Sequence, residues 1–555
     1  MVGAAADRAW RRSTVWQVLA EQATARGDKE ALVGVDTDGD VTRVTYGEWA
    51  RHAAALSAGL AGIGVRRGDR VAILMTNRVE WLYTYLAALR IGATVVPIST
   101  WLKDDEVGYI LGKAKVRHLV LMDRFRKIDF RAMLGRLCPA LPSSAPGDLR
   151  SERFPALRNV VVWSKSDSQP TPGAFSWTDL VAEHAEENVR PAEAERAAVR
   201  PEDLALIKFT SGSTGFPKGA LLEQWGLVVD ARLHARRLQL GPADRWFSAM
   251  PFFHAGGSVW GLMSMLVSGG TLVFTEAFDG RTSVEVMDRE RCTAHFAVPP
   301  MLRDEVDALR SEGRTLSTLR FCCGGNVGLA EEVRKWLDPE FVIGPYGLTE
   351  GYGPLTVNSP DDPPDKAGTA GRFFDGVEYR VVVPDSGVDV APGEIGECLV
   401  RGLVMRGYHD EPGRTAEAID PDGWLHTQDL ISVDEQGYVT YVGRIKAMLK
   451  VGGENVAVEE VENCIRRFPG VAECCVIGIP DRRKQEIGRA YVVASRPGLD
   501  TDALRSWCLE HLARFKVPRD FVVVPSLPMT GSTKVDRAAV IAADPDASAL
   551  EHRQA

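Results

Sequence analysis

The run Leu204-Ala205-Leu206-Ile207-Lys208-Phe209 reads as a strand, and it leads straight into Thr210-Ser211-Gly212-Ser213-Thr214-Gly215-Phe216-Pro217-Lys218-Gly219. Hydroxyls that donate hydrogen bonds, glycines that let the backbone approach and a single lysine are what a loop needs to wrap a polyphosphate. This is not the P-loop of the phosphoryl-transfer NTPases, where Gly precedes the lysine and Ser or Thr follows it; Pro217 and Gly219 hold those places. A Ser/Gly surface turn is the plainer alternative. Leu221 to Leu238 then shows helical spacing, so the loop sits at a strand end, where α/β sheets bind their ligands. Upstream, Thr14 to Ala31 is helical, Val41 to Tyr46 alternates like a strand, and Trp49 to Leu60 is helical again. Val71 to Leu74 is a short apolar run, followed by a helical Glu80 to Ile91 and a strand-like Ala93 to Ile98. Such βαβ units predict an α/β fold with a parallel sheet covered by helices.

At 555 residues the chain exceeds what one core supports, so a large part and at least one smaller part are expected. With 45% apolar and 25% charged residues it has an ordinary globular composition, and a net charge of −9 leaves no basic footprint for nucleic acid. The clusters Arg124 to Lys127 and Arg482 to Lys484 read as solvated faces, the second also as a candidate contact for a phosphorylated partner. Nine scattered cysteines without a C-x-x-C spacing favour reduced, buried thiols in a cytoplasmic protein. Met1 to Arg12 lacks the apolar core of a signal peptide. The uncharged stretch Ala255 to Phe274 is expected as turn, short helix and strand in the interior, not as a membrane span, because five glycines interrupt it. Residues 131 to 201, rich in Ser, Pro, Ala and charge, are expected to be exposed connections.

A second landmark is Tyr346-Gly347-Leu348-Thr349-Glu350. It offers a ring able to lie on adenine, a hydroxyl for an α-phosphate and a carboxylate for Mg²⁺ within five residues. Together with the loop of residues 209–219 it resembles the adenylate-forming superfamily, which includes acyl-CoA synthetases, luciferases and the adenylation domains of peptide synthetases. The resemblance runs from about Thr14 to Val540 and implies a large N-terminal multi-sheet α/β domain, residues 1–445, followed by a small C-terminal α+β lid, residues 446–555.

The family likeness implies the following roles. ATP and Mg²⁺ would be held by Thr210, Ser211, Gly212, Ser213, Thr214, Gly215, Lys218, Tyr346, Gly347, Thr349 and, for the metal, Glu350. Gly324, Gly325 and Asn326 would border adenine and the pocket floor. Asp429 would take both ribose hydroxyls, with Arg444 beside them. His254, Gly256, Gly257, Val298, Gly324 and Gly351 would line the acyl pocket, where Gly324, Gly325, Gly351 and Gly353 leave room for a bulky or cyclic acid. His254 stands where peptide synthetases carry an Asp for the substrate amine, which disfavours a free α-amino acid. Lys446 would be the hinge, Gly452 and Gly453 would line the pantetheine channel of CoA, and Lys534 would reach back into the active site.

Three positions depart from the family pattern around the moving domain. Gln428 replaces a Gly beside the ribose and resists a positive φ, Ala447 replaces an acidic residue, and Thr533 replaces the Gly before the lysine. The implied function is ATP-dependent activation of a hydrophobic acid to acyl-AMP and transfer to CoA, with Lys534, Thr349, Glu350 and Lys218 carrying the chemistry. The alternatives are an adenylating enzyme that passes its product to an acyl-carrier protein or partner enzyme, and a non-catalytic homologue that binds acyl groups or nucleotides. With few residues after Lys534, a fused carrier domain of the peptide-synthetase kind is not expected, and a homodimer is admitted.

Overall fold

The computed structural model describes residues 11–165, 170–185, 199–210, 217–323, 329–384, 386–445, 448–451, 454–481, 485–512, 514–530 and 534–547. The expectations on Ser211 to Gly215, Gly324 to Asn326, Lys446, Ala447, Gly452, Gly453, Arg482 to Lys484 and Thr533 lie outside them.

Among the described residues, two seven-stranded sheets and three smaller antiparallel sheets build the N-terminal part. The sheet that carries the polyphosphate loop orders its strands as Lys218–Glu223, Leu204–Thr210, Thr94–Pro97, Arg70–Leu74, His118–Met122, Asn159–Trp163 and Phe175–Ser176. It is parallel except at its first edge, where Lys218–Glu223 runs back along Leu204–Thr210. Leu221 and Leu222 therefore belong to a strand, and the helix expected from Leu221 begins at Gln224. Pairing with Leu204–Thr210 overrides the helical spacing of these leucines. Thr210 faces Lys218 in the register, so the loop closes a hairpin and delivers both residues to one sheet end.

The other large sheet places Glu30–Val35 between Val41–Thr45 and Thr271–Thr275. The helix expected to run to Ala31 stops at Arg26, and Ala31 is inside that strand. Residues 131–201 are more than connections: Asn159–Trp163 is a fully buried strand, paired between His118–Met122 and Phe175–Ser176. The glycine-rich stretch is the buried turn, short helix and strand that was expected. Gly256–Gly261 forms a π-helical turn that continues into the helix Leu262–Ser268, and only at Gly269, with φ +73°, does the chain leave it for the strand Thr271–Thr275.

Two smaller sheets lead to the C-terminal domain, one of them Glu378–Val382, Ile395–Arg401, Leu425–Val433 and Val439–Arg444. The C-terminal domain has its own sheet and its own buried clusters, around Val476 and around Ile477. Its helix Val458–Arg466 and strands Val471–Asp481 and Gln485–Ala494 match the expected small α+β domain. Among the described residues no helix is long and apolar enough to cross a membrane.

Candidate active site

The site is assembled at the loop end of the sheets. Lys218 leaves the hairpin with its Nζ 4.9 Å from the centre of the Tyr408 ring, and the Tyr408 hydroxyl donates to Glu350 Oε1 at 2.9 Å. A second bond, from the Met405 amide to the Glu350 carbonyl at 2.6 Å, clasps the same turn. Thr349 and Glu350 share the 3-10 turn Thr349–Gly351, after which Tyr352 turns the chain at φ +70°. Its ring packs against Gly226, where a Cβ would lie 2.1 Å from it. The second carboxylate oxygen of Glu350 makes no hydrogen bond among the described residues, so a hard cation finds a free oxygen ligand here. The Tyr109 hydroxyl donates to the Pro217 carbonyl at 3.3 Å, bracing the loop from the other side.

Asp429 is buried on Leu425–Val433, opposite Arg444 in the register of Val439–Arg444. Arg444 Nε donates to its Oδ1 at 2.8 Å and the Tyr346 hydroxyl to its Oδ2 at 3.1 Å. Burial raises the pKa of Asp429, while the charge of Arg444 and the Tyr346 bond oppose that. The Tyr346 ring stacks on Tyr441 at 5.7 Å between centroids. Gln428, expected to resist a positive φ, adopts one of +60°. Its amide and its Nε2 both donate to Glu397 Oε1, at 3.2 and 3.1 Å, and these bonds hold the strained residue in place. The local backbone thus keeps the shape a glycine would give.

Lys534 enters from the C-terminal domain on a loop closed by its own backbone: the Thr530 amide donates to the Lys534 carbonyl at 2.7 Å, and the Lys534 amide to Thr530 Oγ1 at 3.3 Å. Its side chain keeps solvent contact, yet both domains crowd around it. That desolvation lowers its pKa, the charge of Arg444 lowers it further, and Glu459 and Asp429 act in the opposite sense. The charge of Lys534 is also felt by His254. Two further contacts tie the domains together in this pose: Tyr441 with Glu459, and Arg303 Nη1 donating to the Ala472 carbonyl at 2.6 Å.

His254 begins the wall of the acyl side. Burial holds its pKa down at about 3, with the charges of Lys208 and Lys534 adding to the effect, so the ring is neutral. Behind it the buried Lys208 donates to the Phe253 carbonyl at 3.0 Å and to Ser258 Oγ at 2.7 Å, pinning both ends of the turn. Burial without an acidic partner lowers the Lys208 pKa to about 7. A Cβ at Gly257 would meet the Pro251 carbonyl oxygen at 2.4 Å, and one at Gly256 the Phe296 ring at 3.3 Å. Val298 caps the helix Pro299–Glu312 nearby. The room expected beside Gly351 and Gly353 is taken: Leu355 closes on the first at 3.0 Å and Trp260 on the second at 2.4 Å from where a Cβ would stand.

The structure therefore brings together Thr210 with Lys218, Glu350 with Lys218 through Tyr408, and Tyr346 and Arg444 around the Asp429 carboxylate. Tyr408, Tyr441 and Lys208 escape sequence reasoning, since no local pattern reveals contacts with residues so distant in the chain.

The pattern typical of AMP-binding enzymes matches residues 19–409, and that of the AMP-binding enzyme C-terminal domain matches residues 460–534. This chain belongs to the AMP-binding enzyme family. It is 36% identical over 505 residues to the 3-[(3aS,4S,7aS)-7a-methyl-1,5-dioxo-octahydro-1H-inden-4-yl]propanoyl:CoA ligase of Rhodococcus jostii, covering 90% of this chain and 93% of that one. It is 31% identical over 539 residues to the mitochondrial medium-chain acyl-CoA ligase ACSF2 of Rattus norvegicus, covering 94% and 86%. Its fold is similar to that of the anthranilate CoA ligase AuaEII in complex with anthranoyl-AMP, with a TM-score of 0.83, 25% identity, and 97% and 98% of the two chains covered. The chain is an AMP-forming acid–CoA ligase of this family.

Proposed function

We propose that this family member activates a bulky or cyclic hydrophobic acid and that its residues divide the work as follows. The convergence of Tyr346 and Arg444 on the buried Asp429 carboxylate carries the reading. An oxygen of the substrate carboxylate attacks the α-phosphorus of ATP, the bond to the bridging oxygen breaks, and pyrophosphate leaves with the electron pair. No protein nucleophile is needed, so positioning and charge neutralisation set the rate. Asp429 takes the ribose hydroxyls with Arg444 at its side, Tyr346 borders the adenine, and Thr210 and Lys218 hold the departing phosphates. Thr349 touches the α-phosphate, and Lys534 neutralises charge on the attacking and α-phosphoryl oxygens. The free oxygen of Glu350 suits Mg²⁺, which when bound neutralises charge on the triphosphate.

In the second step the domain beyond residue 445 turns about Lys446, withdraws Lys534 and brings Gly452 and Gly453 toward the acyl adenylate. The CoA thiolate attacks the acyl carbon and AMP leaves. A ring-bearing acid is supported by the fused-ring acid of the Rhodococcus relative and by the aromatic Trp260 and Phe296, 4.3 Å apart on the pocket wall. Nine free, buried cysteines support a cytoplasmic setting. Mass spectrometry of reactions with ATP, Mg²⁺ and aliphatic, aromatic and polycyclic acids, with and without CoA, tests this. Acyl-CoA is expected from the ring-bearing acids. Acyl adenylate that persists in the presence of CoA would direct the second step to a carrier protein or partner enzyme instead.

A further inference from the structure

Lys208 stands two residues before Thr210 on the strand Leu204–Thr210, so the two side chains lie on one face of that strand. It is 4% exposed and has no carboxylate partner among the described residues. A lysine buried in this way costs stability that an apolar side chain of the same length would not. Stability therefore gives no reason for a lysine here, whereas its hydrogen bonds do. Both run to one turn. Nζ donates to the Phe253 carbonyl at 3.0 Å and to Ser258 Oγ at 2.7 Å, and Ser258 Oγ donates in turn to the His254 carbonyl at 3.1 Å. The amides of Gly257 and Ser258 both donate to the His254 carbonyl, at 3.2 and 3.1 Å. Among the described residues the Phe253 carbonyl thus receives no backbone amide, and Lys208 supplies its donor.

The turn held in this way opens the π-helical segment Gly256–Gly261. Such a segment departs from the ordinary ladder of helical bonds and recurs at functional sites. At its start His254 Nδ1 accepts from the Gly256 amide at 3.2 Å, and near its end Trp260 packs on Phe296 with ring centroids 4.3 Å apart. Lys208 is therefore a tie between two parts of the site, the strand that ends in the polyphosphate loop and the turn that forms the acyl wall. In adenylation the acid's carboxylate must meet the α-phosphorus in line, and a misplacement of about 1 Å in such an arrangement can cost about 100-fold in rate.

Resting on the reading of Phe253 to Gly257 as the acyl wall, we infer that Lys208 is a positioning residue for adenylation: its two bonds fix the wall against the strand of the polyphosphate loop and so set where the acid meets ATP. It acts through the wall and touches neither substrate.

The test uses the full-length protein and the acid that the wild type turns over fastest, with pyrophosphate release followed at varied acid and at varied ATP. The variants are Lys208→Met, Ser258→Ala and the two combined. We expect Lys208→Met to lower kcat/KM for the acid by about 10- to 100-fold while the KM for ATP stays within about twofold. Ser258→Ala should lose less in the same sense, and the double variant should fall well short of the product of the two losses, because both substitutions cut one tie. An unchanged kcat/KM for the acid in Lys208→Met, an equal rise in the KM for ATP, or losses that multiply in the double variant overturn the inference. Gly256→Ala tests the wall reading beneath it, since the added methyl stands on the wall, 3.3 Å from the Phe296 ring. Unchanged kinetics for every acid in that variant mean that the turn does not face the acid, and the wall reading then fails together with the inference. Should Lys208→Met not fold, Ser258→Ala alone decides by the same split between acid and ATP.

Discussion

Replacing Tyr408 with Phe removes one oxygen and leaves the ring that Lys218 approaches at 4.9 Å. What is lost is the 2.9 Å bond to Glu350 Oε1, in which a hydroxyl donates to a carboxylate. Hydrogen bonds to charged groups are worth about 1.5–3 kcal/mol, roughly 10- to 150-fold in rate if the bond matters only when the carboxylate must be in place. The backbone of Tyr408 is held separately, its amide donating to Thr415 Oγ1 at 2.9 Å, and that contact survives the substitution. Tyr408→Phe should therefore lower the rate of ATP–pyrophosphate exchange by about one to two orders of magnitude while the thermal midpoint moves by only a few degrees. Part of the loss should be recovered at high Mg²⁺, because the carboxylate is misplaced but still present. Tyr408→Leu, which also removes the ring beneath Lys218, should be slower still. Exchange within twofold of wild type for Tyr408→Phe, at limiting Mg²⁺, would refute the view that this hydroxyl positions Glu350.

Lys534→Ala should slow adenylation by on the order of 10²–10³, as measured by pyrophosphate release. The lowered pKa of Lys534 means that its charge is present below that value and lost as pH rises through it. The alkaline limb of the kcat/KM profile should thus fall below the ordinary lysine value of 10.5, and Lys534→Arg should shift it upward. For Lys208 the folded-state pKa of about 7 lies below the unfolded value of 10.5, so the unfolded chain binds the extra proton between them. The stability of the wild type relative to Lys208→Met should rise with pH across that window, by an amount on the order of 4–5 kcal/mol, as read by denaturant unfolding at several pH values. Gln428→Val places a β-branched residue at φ +60° and removes the Nε2 bond to Glu397; it should cost about 2–3 kcal/mol and raise the KM for ATP. An unchanged melting temperature would show that the left-handed turn is not strained.

What the sequence made legible was local chemistry. The hairpin loop, the Tyr346 to Glu350 run, Asp429 and Lys534 announce themselves because each motif packs its functional groups into a few consecutive residues. The strands in βαβ order were legible for the same reason. The strand Asn159–Trp163 was not, since its five residues sit in a Ser- and Pro-rich segment whose average composition hides them. Leu221 and Leu222 were misassigned because helical spacing cannot compete with a strand partner already in register. Lys208 and Tyr408 were invisible as site residues: their meaning lies in contacts with Phe253 and Glu350, and nothing local encodes distance in space. Gln428 shows the converse. Propensity correctly marked the position as strained, and the bonds to Glu397 that hold the strain come from a strand some thirty residues earlier.

The pairing of Leu32 with Leu272 sets a schedule for synthesis of the chain. Glu30–Val35 can fold against Val41–Thr45 as soon as both have been made, but its other edge waits for about 240 further residues. At roughly 5–20 residues per second that wait lasts about 10–50 s. Throughout it, an apolar strand destined for the middle of a sheet stands with an open edge beside the ribosome. The sheet that holds the polyphosphate loop faces no such delay, since all its strands lie between Arg70 and Glu223. The nucleotide-cradling half can therefore assemble first and give the N-terminal hairpin a surface to rest on, and nascent chains halted before Thr271 should be the ones that chaperones retain.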